Sequence, residues 1–290
     1  MISILFLIDI LTENDLLLRM VGSKSKNKLN QYCTYCDHTG IIQNMPSDSL
    51  GQVPLSPCPK CVLSDCQCQG EEPYFILKNN KVEDCSCRAI RLKIDRINRI
   101  YNNSGIDKLF RWKFFNDFRV KDNKSASLAK NAAYDISVNF PNVAKGLYLW
   151  GSPGTGKTLL SSILLTELII RQAVPGKFMK ISRSFFSRLK DSFNEKSLTY
   201  GKGQAIEREF AEIDILVIDD FGVQRDSAWE QETLYNLIDA RYEAKRFTLF
   251  TSNNDPFHSL KDLSHGRILS RLKEMCRFIK LEGPDQREFV

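Results

Sequence analysis

The feature that most constrains this chain is Gly151-Ser-Pro-Gly-Thr-Gly-Lys-Thr158, which fits the phosphate-binding loop pattern G-x-x-x-x-G-K-[ST]. An apolar, strand-like run, Gly146-Leu-Tyr-Leu-Trp150, precedes it, and a helix-like run from Thr158 to Arg171 follows. Glycines let backbone N–H groups crowd around phosphate oxygens, and the helix N-terminus adds its positive end. Gly151, Ser152, Pro153, Gly154, Thr155, Gly156, Lys157 and Thr158 are therefore the candidates for cradling a nucleotide. Lys157 is suited to neutralise the terminal phosphates and Thr158 to ligate Mg²⁺.

A second run, Ile215-Leu-Val-Ile-Asp-Asp220, reads as a buried strand ending in two carboxylates. Asp219 is placed to hold Mg²⁺, directly or through water, and Asp220 to orient or deprotonate an attacking water. The bland alternative is that one of them caps the next element. Strands near 146–150, 177–181, 214–218, 247–251 and 277–281 alternate with helices near 158–172, 183–193, 228–244 and 266–274. That alternation predicts an α/β fold, a five-stranded parallel sheet covered on both faces, with ligand at the carboxyl ends of the strands.

Two further groups belong to the same chemistry. The strand Arg246-Phe-Thr-Leu-Phe-Thr-Ser-Asn253 ends in polar residues, so Asn253 is either a γ-phosphate or water contact or a turn before Asp255-Pro256. Arg267 and Arg271 lie four apart, on one face of a short helix. Arginine suits transition-state charge on phosphoryl oxygens, and at a subunit boundary one of the pair would reach a neighbour's ATP. Otherwise they form a solvated basic face.

The order of phosphate loop, Ile-Asp-Asp-Phe-Gly222, Thr-Ser-Asn253 and Arg267-x-x-x-Arg271 resembles the AAA+ ATPases of the helicase-loader group. These are the bacterial DnaC and DnaI proteins, with the related IstB transposition ATPases. The resemblance spans roughly residues 33–40, 83–119 and 141–282. It implies an AAA+ domain without the C-terminal helical lid, with Asn253 at the sensor position, Arg271 as the arginine finger and Arg267 as a second residue near the γ-phosphate. It implies an ATPase that loads a replicative DNA helicase in replication initiation, binding ATP and single-stranded DNA and forming a homo-oligomer on ATP. The alternative is an IstB-like transposition helper with the same motor and a different client. A zinc-containing nucleic-acid adaptor with a purely regulatory ATP site is a third reading.

Eight of the nine cysteines lie between Cys33 and Cys87. In a nucleotide-hydrolysing chain such clustering favours metal over disulfides. Cys33-Thr-Tyr-Cys36 and Cys85-Ser-Cys87 are close thiolate pairs suited to tetrahedral Zn²⁺. Between them, Cys58-Pro-Lys-Cys61 and Cys66-Gln-Cys68 supply a second zinc or exchange partners with the outer pairs, and His38 is a possible substitute ligand. The tract from Cys33 to Gly40, joined to the later Cys-x-Cys, resembles the zinc segment of DnaI-like loaders. A thioredoxin-like unit for redox chemistry is absent.

The segment 33–87 is poor in periodic apolar residues and needs a metal to fold. The expected organisation is an N-terminal helix and linker over 1–32, a small Cys-rich zinc module and basic helix over 33–103, and the ATPase domain over 104–290. The apolar first twenty residues either pack on their own domain or dock on a partner. No apolar stretch reaches the length of a membrane span and no signal-peptide cleavage site follows the start, so a cytoplasmic location is expected. A net charge of +6 permits nucleic-acid contact without requiring it. Ser182-Arg-Ser-Phe-Phe-Ser-Arg-Leu-Lys190 mixes basic and aromatic residues, and Arg183, Arg188 and Lys190 are the candidates for phosphate contact. Of Phe185 and Phe186, at least one belongs to the core of an amphipathic helix.

Overall fold

The computed structural model describes residues 33–44, 55–120, 122–222, 227–261 and 263–286. The apolar start and Lys-rich linker of the sequence reading lie outside them. Among the described residues two compact units emerge, one containing 33–42 and Pro57–Ile90, the other containing 43–44, 55–56 and those from Arg91 onward.

The first unit holds little regular structure. Strands β1 (Ile41–Gln43) and β2 (Leu55–Pro57), each cut by the division between the units, pair with each other. Within the first unit, β3 (Phe75–Lys78) and β4 (Lys81–Asp84) form an antiparallel hairpin. Asn79 and Asn80 turn that hairpin at φ 52° and 58°, the left-handed pair that a tight two-residue turn demands. Cysteines supply much of the buried surface: Cys36, Cys58, Cys68, Cys85 and Cys87 are all buried. Helix α1 (Arg88–Asn102) follows, and the division between the units falls within it.

The second unit is a layered α/β domain. After α1 come α2 (Lys124–Asn139), β5 (Gly146–Trp150), α3 (Lys157–Gln172) and β6 (Gly176–Lys180). A π-helical turn, Ile181–Phe186, then runs into α4 (Ser187–Asp191). The chain continues through α5 (Gly203–Glu212), β7 (Ile215–Asp219), α6 (Ala228–Glu243), β8 (Phe247–Ser252), α7 (Pro256–Ser259), α8 (Arg267–Met275) and β9 (Cys276–Lys280). The five strands are parallel in the order β6-β7-β8-β5-β9.

The central strands are buried nearly throughout because both faces are covered, β7 as an apolar run and β8 with Thr248, Thr251 and Ser252 among its buried residues. All five residues of β7 are buried. Leu216 and Ile218 enter a core cluster with Phe185, Phe210, Leu234, Ile238, Ile268 and Leu272 from the helices of one face. Alternation turns Ile215 and Val217 to the other face, where α3 packs. Twelve residues of α3 are buried, which explains its near-continuous apolar sequence.

One internal cation ties this domain together. Arg241 on α6 is fully buried, and burial lowers its pKa to about 9. Its guanidinium donates to the carbonyls of Phe210, Ala211, Ile213 and Phe247 and to Thr248 Oγ1. At the start of the domain, Tyr101 and Trp112 stack at 3.8 Å, and the Trp112 N–H donates to the Tyr101 hydroxyl at 2.7 Å.

Candidate functional site

The phosphate loop joins the end of β5 to the start of α3, so its backbone converges on a helix N-terminus. Gly156, just before α3, stands at φ +92°, a conformation that side chains rarely adopt. At Gly151 (φ +140°) a Cβ would fall 2.0 Å from the Leu281 carbonyl oxygen, so the crossing of loop and C-terminal segment also requires glycine there. Lys157 is buried, and its Nζ donates to the carbonyls of Gly151 and Ser152, both at 2.8 Å. The ammonium is therefore held on the cradle.

The sheet order places β8 between the phosphate-loop strand and the acidic strand. Asp219, the last residue of β7, is 1% exposed, which takes its carboxylate almost wholly out of bulk water. Its Oδ1 accepts from Thr158 Oγ1 at 3.0 Å and from Thr251 Oγ1, on β8, at 2.6 Å. Burial lifts the Asp219 carboxyl above the ordinary carboxylate range and the charge of Asp220 adds to the lift, while the two hydroxyl donors oppose it. A carboxylate and a hydroxyl brought together at a buried strand end are an oxygen donor set for a hard divalent cation, whose charge would offset that cost.

Asp220 is exposed at φ +57°, and its N–H donates to Thr251 Oγ1 at 3.1 Å. A non-glycine residue in this region is held by its surroundings, which sets the Asp220 side chain apart from the strand direction. Thr251 thus fixes both aspartates. The sequence reading missed it; the available signal was a threonine near the end of a strand expected beside β7. Asn253 lies just past β8, exposed. Its neighbour Asn254 takes the local hydrogen bonds, to Gly222 O and Ser252 Oγ.

The two arginines of α8 differ. Arg267 is exposed, with no partner among the described residues. Arg271 is 22% exposed and engaged with α6, forming an ion pair with Asp239 and a hydrogen bond to the Tyr235 hydroxyl at 2.9 Å.

The basic-aromatic stretch after β6 is only partly free. Phe185 and Phe186 are both core residues. Arg188 pairs with Glu209 at 2.9 Å and Lys190 with Glu230 at 2.6 Å, which leaves Arg183, exposed, as the one of the three without an ion pair among the described residues. Exposed rings lie a little further along. Phe193 is 69% exposed and meets Trp229 edge-on at 6.3 Å, and the Lys190 ammonium sits 5.7 Å from the Trp229 ring centre. Tyr200 and Leu198 are also exposed.

The eight cysteines of the first unit form two quartets, Cys33/Cys36/Cys58/Cys61 and Cys66/Cys68/Cys85/Cys87, each with its sulfurs within 4.8 Å of one another. Of the two pairings left open by the spacing, the exchange holds: each outer pair joins an inner pair, and His38 belongs to neither quartet. The reason is local. The β3–β4 hairpin returns the chain so that Cys85 and Cys87 come back to Cys66 and Cys68. Bonded and near-neighbour sulfurs are 3.4–3.9 Å apart. That is far beyond a disulfide bond and matches the edge of about 3.8 Å of a tetrahedron with Zn–S of about 2.3 Å. Burial raises the Cys85 thiol, but the N–H groups of Cys87, Cys68 and Gln67 outweigh it and hold it at about 5. The ninth cysteine, Cys276, is buried on β9.

A glycine-lined cradle on one strand, a carboxylate two strands away and a parallel sheet between them define a P-loop nucleotide-binding protein of the AAA+ class. The chain belongs to the IstB-like ATP binding protein family, whose sequence model matches residues 91–287. It is 27% identical over 180 residues to the replicative helicase loader DnaC of Escherichia coli strain K12, covering 61% of this chain and 70% of DnaC. It is 28% identical over 184 residues to the uncharacterized protein YdaV of the same strain, covering 61% of this chain and 68% of YdaV. The crystal structure of the DnaC helicase loader superposes with a TM-score of 0.53 at 25% identity, covering 61% of this chain and 100% of that one.

Proposed function

We propose that this chain is an ATP-dependent loader of a replicative DNA helicase, working in the cytoplasm at the initiation of replication. The observation that carries the reading is the Thr158–Asp219–Thr251 constellation beside the phosphate loop, in a chain homologous to DnaC along the ATPase domain. Lys157 and the loop backbone bind the triphosphate. Thr158 and Asp219 hold magnesium, which when bound neutralises the β- and γ-phosphate oxygens. Asp220 accepts a proton from, or orients, the attacking water, with Asn253 near the γ-phosphate. Arg271 acts on the ATP of a neighbouring subunit and Arg267 supports it, so hydrolysis is coupled to assembly.

Single-stranded DNA runs past Phe193 and Trp229. Bases stack on the exposed Phe193 ring and the partly buried Trp229 ring whatever their identity, and Arg183 with neighbouring lysines takes the phosphates. Each cysteine quartet holds one zinc ion, which fixes four thiolates in place of the core that this unit lacks. The zinc unit grips the helicase. Loss of the γ-phosphate weakens the subunit contacts and releases the assembly. The transposition-helper alternative shares the motor, but the similarity to DnaC in sequence and structure supports the helicase reading.

The test is transfer of a purified replicative helicase onto closed circular single-stranded DNA. The expected result is transfer that requires ATP and is lost in Lys157→Ala. Capture of a transposase and not a helicase from the same cells would redirect the reading to the transposition helper.

A further inference from the structure

The surroundings of Arg271 carry a further assignment. Tyr235, Asp239 and Tyr242 follow one another at i, i+4 and i+7 on α6, a single stripe of that helix. The Arg271 side chain, from α8, lies along this stripe. Its Nε–H donates to Asp239 Oδ1 and its Nη2–H to the Tyr235 hydroxyl at 2.9 Å. Its guanidinium carbon is 4.9 Å from the Tyr235 ring centre and 5.6 Å from that of Tyr242. The Tyr242 hydroxyl in turn donates to Glu274 at 2.7 Å, which steadies the second ring against α8.

Arginine has five N–H donors in a rigid fork. Here the Nε edge is taken by a carboxylate, the guanidinium lies near two rings, and Nη1 takes no partner among the described residues. A guanidinium with one edge anchored and another unclaimed is oriented before any phosphate arrives. That is the condition under which a long, flexible side chain contributes without a large entropic loss on binding. Arg267, four residues earlier, has no such support.

We infer that Asp239 and Tyr235 are positioning residues that aim Arg271 at the phosphoryl group bound by an adjacent copy of this chain. The inference rests on the trans-acting reading of Arg271 given above. It makes Asp239, a carboxylate distant in sequence from both nucleotide motifs, part of the hydrolytic machinery of the assembly.

A subunit-mixing experiment tests it. Arg271→Ala subunits bind ATP and lack the guanidinium; Lys157→Ala subunits lack productive ATP binding and keep it. Mixing the two on single-stranded DNA is expected to restore turnover. Donors carrying Lys157→Ala with Asp239→Asn are expected to restore it about tenfold less, and donors with Lys157→Ala and Tyr235→Phe to fall between. Oligomer size by sedimentation and melting temperature are expected to match the Lys157→Ala donor, and Asp239→Glu to recover part of the loss. Equal restoration by the Asp239→Asn donor overturns the inference. If that donor is unstable, equal restoration by the Tyr235→Phe donor does so instead. Failure of Lys157→Ala donors themselves to restore turnover refutes the trans-acting reading, an outcome distinct from the others.

Discussion

The hydroxyl of Thr158 donates to the carboxylate of Asp219 at 3.0 Å across 61 residues of sequence. One residue lies in the first turn of the helix that follows the phosphate loop and the other closes a strand two places from the loop's own strand in the sheet. Each group has a partner in place of water, and together they stand where a cation would bridge loop and strand.

The pH response follows from that geometry. Burial raises the Asp219 carboxyl, and the Thr251 hydroxyl restrains the rise by favouring the ionised form. Thr251→Val removes the donor and keeps the shape, so protonation of Asp219 sets in at higher pH. On acidification, kcat/KM for Mg·ATP is expected to fail at higher pH than in wild type. A superimposable profile would exclude this role for Thr251.

The same burial has a stability consequence. Because the folded-state pKa of Asp219 lies above the unfolded value, the folded protein binds the proton more tightly. The associated stability is present at low pH and is lost as pH rises through the folded pKa. Asp219→Asn removes the charge and keeps an oxygen acceptor. At pH 7–8 without nucleotide or magnesium it is expected to melt roughly 2–4 °C higher than wild type while losing hydrolysis. A lower melting temperature by calorimetry would contradict the account.

Arg241 carries the opposite liability. Its donors satisfy four carbonyls and one hydroxyl in the interior, and no shorter side chain reaches them all. Arg241→Ala is expected to cost about 3 kcal/mol or more in urea unfolding, with soluble yield falling accordingly. A loss under 1 kcal/mol would mean that water replaces the guanidinium at little cost.

The two quartets predict two metals per chain. Elemental analysis is expected to give two zinc equivalents, falling to one in either Cys61→Ser or Cys68→Ser, because those residues belong to different quartets. One zinc in the wild type, or both lost in one single variant, would refute the partition.

For the nucleic acid, Phe193→Ala and Trp229→Ala are each expected to weaken single-strand binding by about 1–3 kcal/mol at unchanged salt dependence. Arg183→Ala is expected to reduce the salt slope by about one ion, and Arg188→Ala by less because Glu209 already holds that charge. Loss of salt slope without loss of affinity in the aromatic variants would exclude stacking.

Much of this architecture was legible in the residues. The phosphate loop and the acidic strand are contiguous motifs, and the strands β5 and β7 that carry them are apolar runs. What escaped depends on pairing between distant segments. Thr251 acts only through the register of β8 against β7, which no local pattern encodes. The cysteine partition depends on where the β3–β4 hairpin returns the chain, and spacing alone left both pairings open. Helix α5 was hidden behind Gly201 and Gly203, although Ile206 and Phe210, four apart and both buried, were its signal. Phe193 gave no sign of exposure because an isolated aromatic reads as core until its neighbours are known.

The most direct measurement is equilibrium titration of the purified protein with a fluorescent, slowly hydrolysed ATP analogue, with and without magnesium. The account predicts saturable binding that is tightened by magnesium in the wild type, loses the magnesium effect in Asp219→Asn and disappears in Lys157→Ala. Equal binding in wild type and Lys157→Ala, or no binding in either, would contradict it.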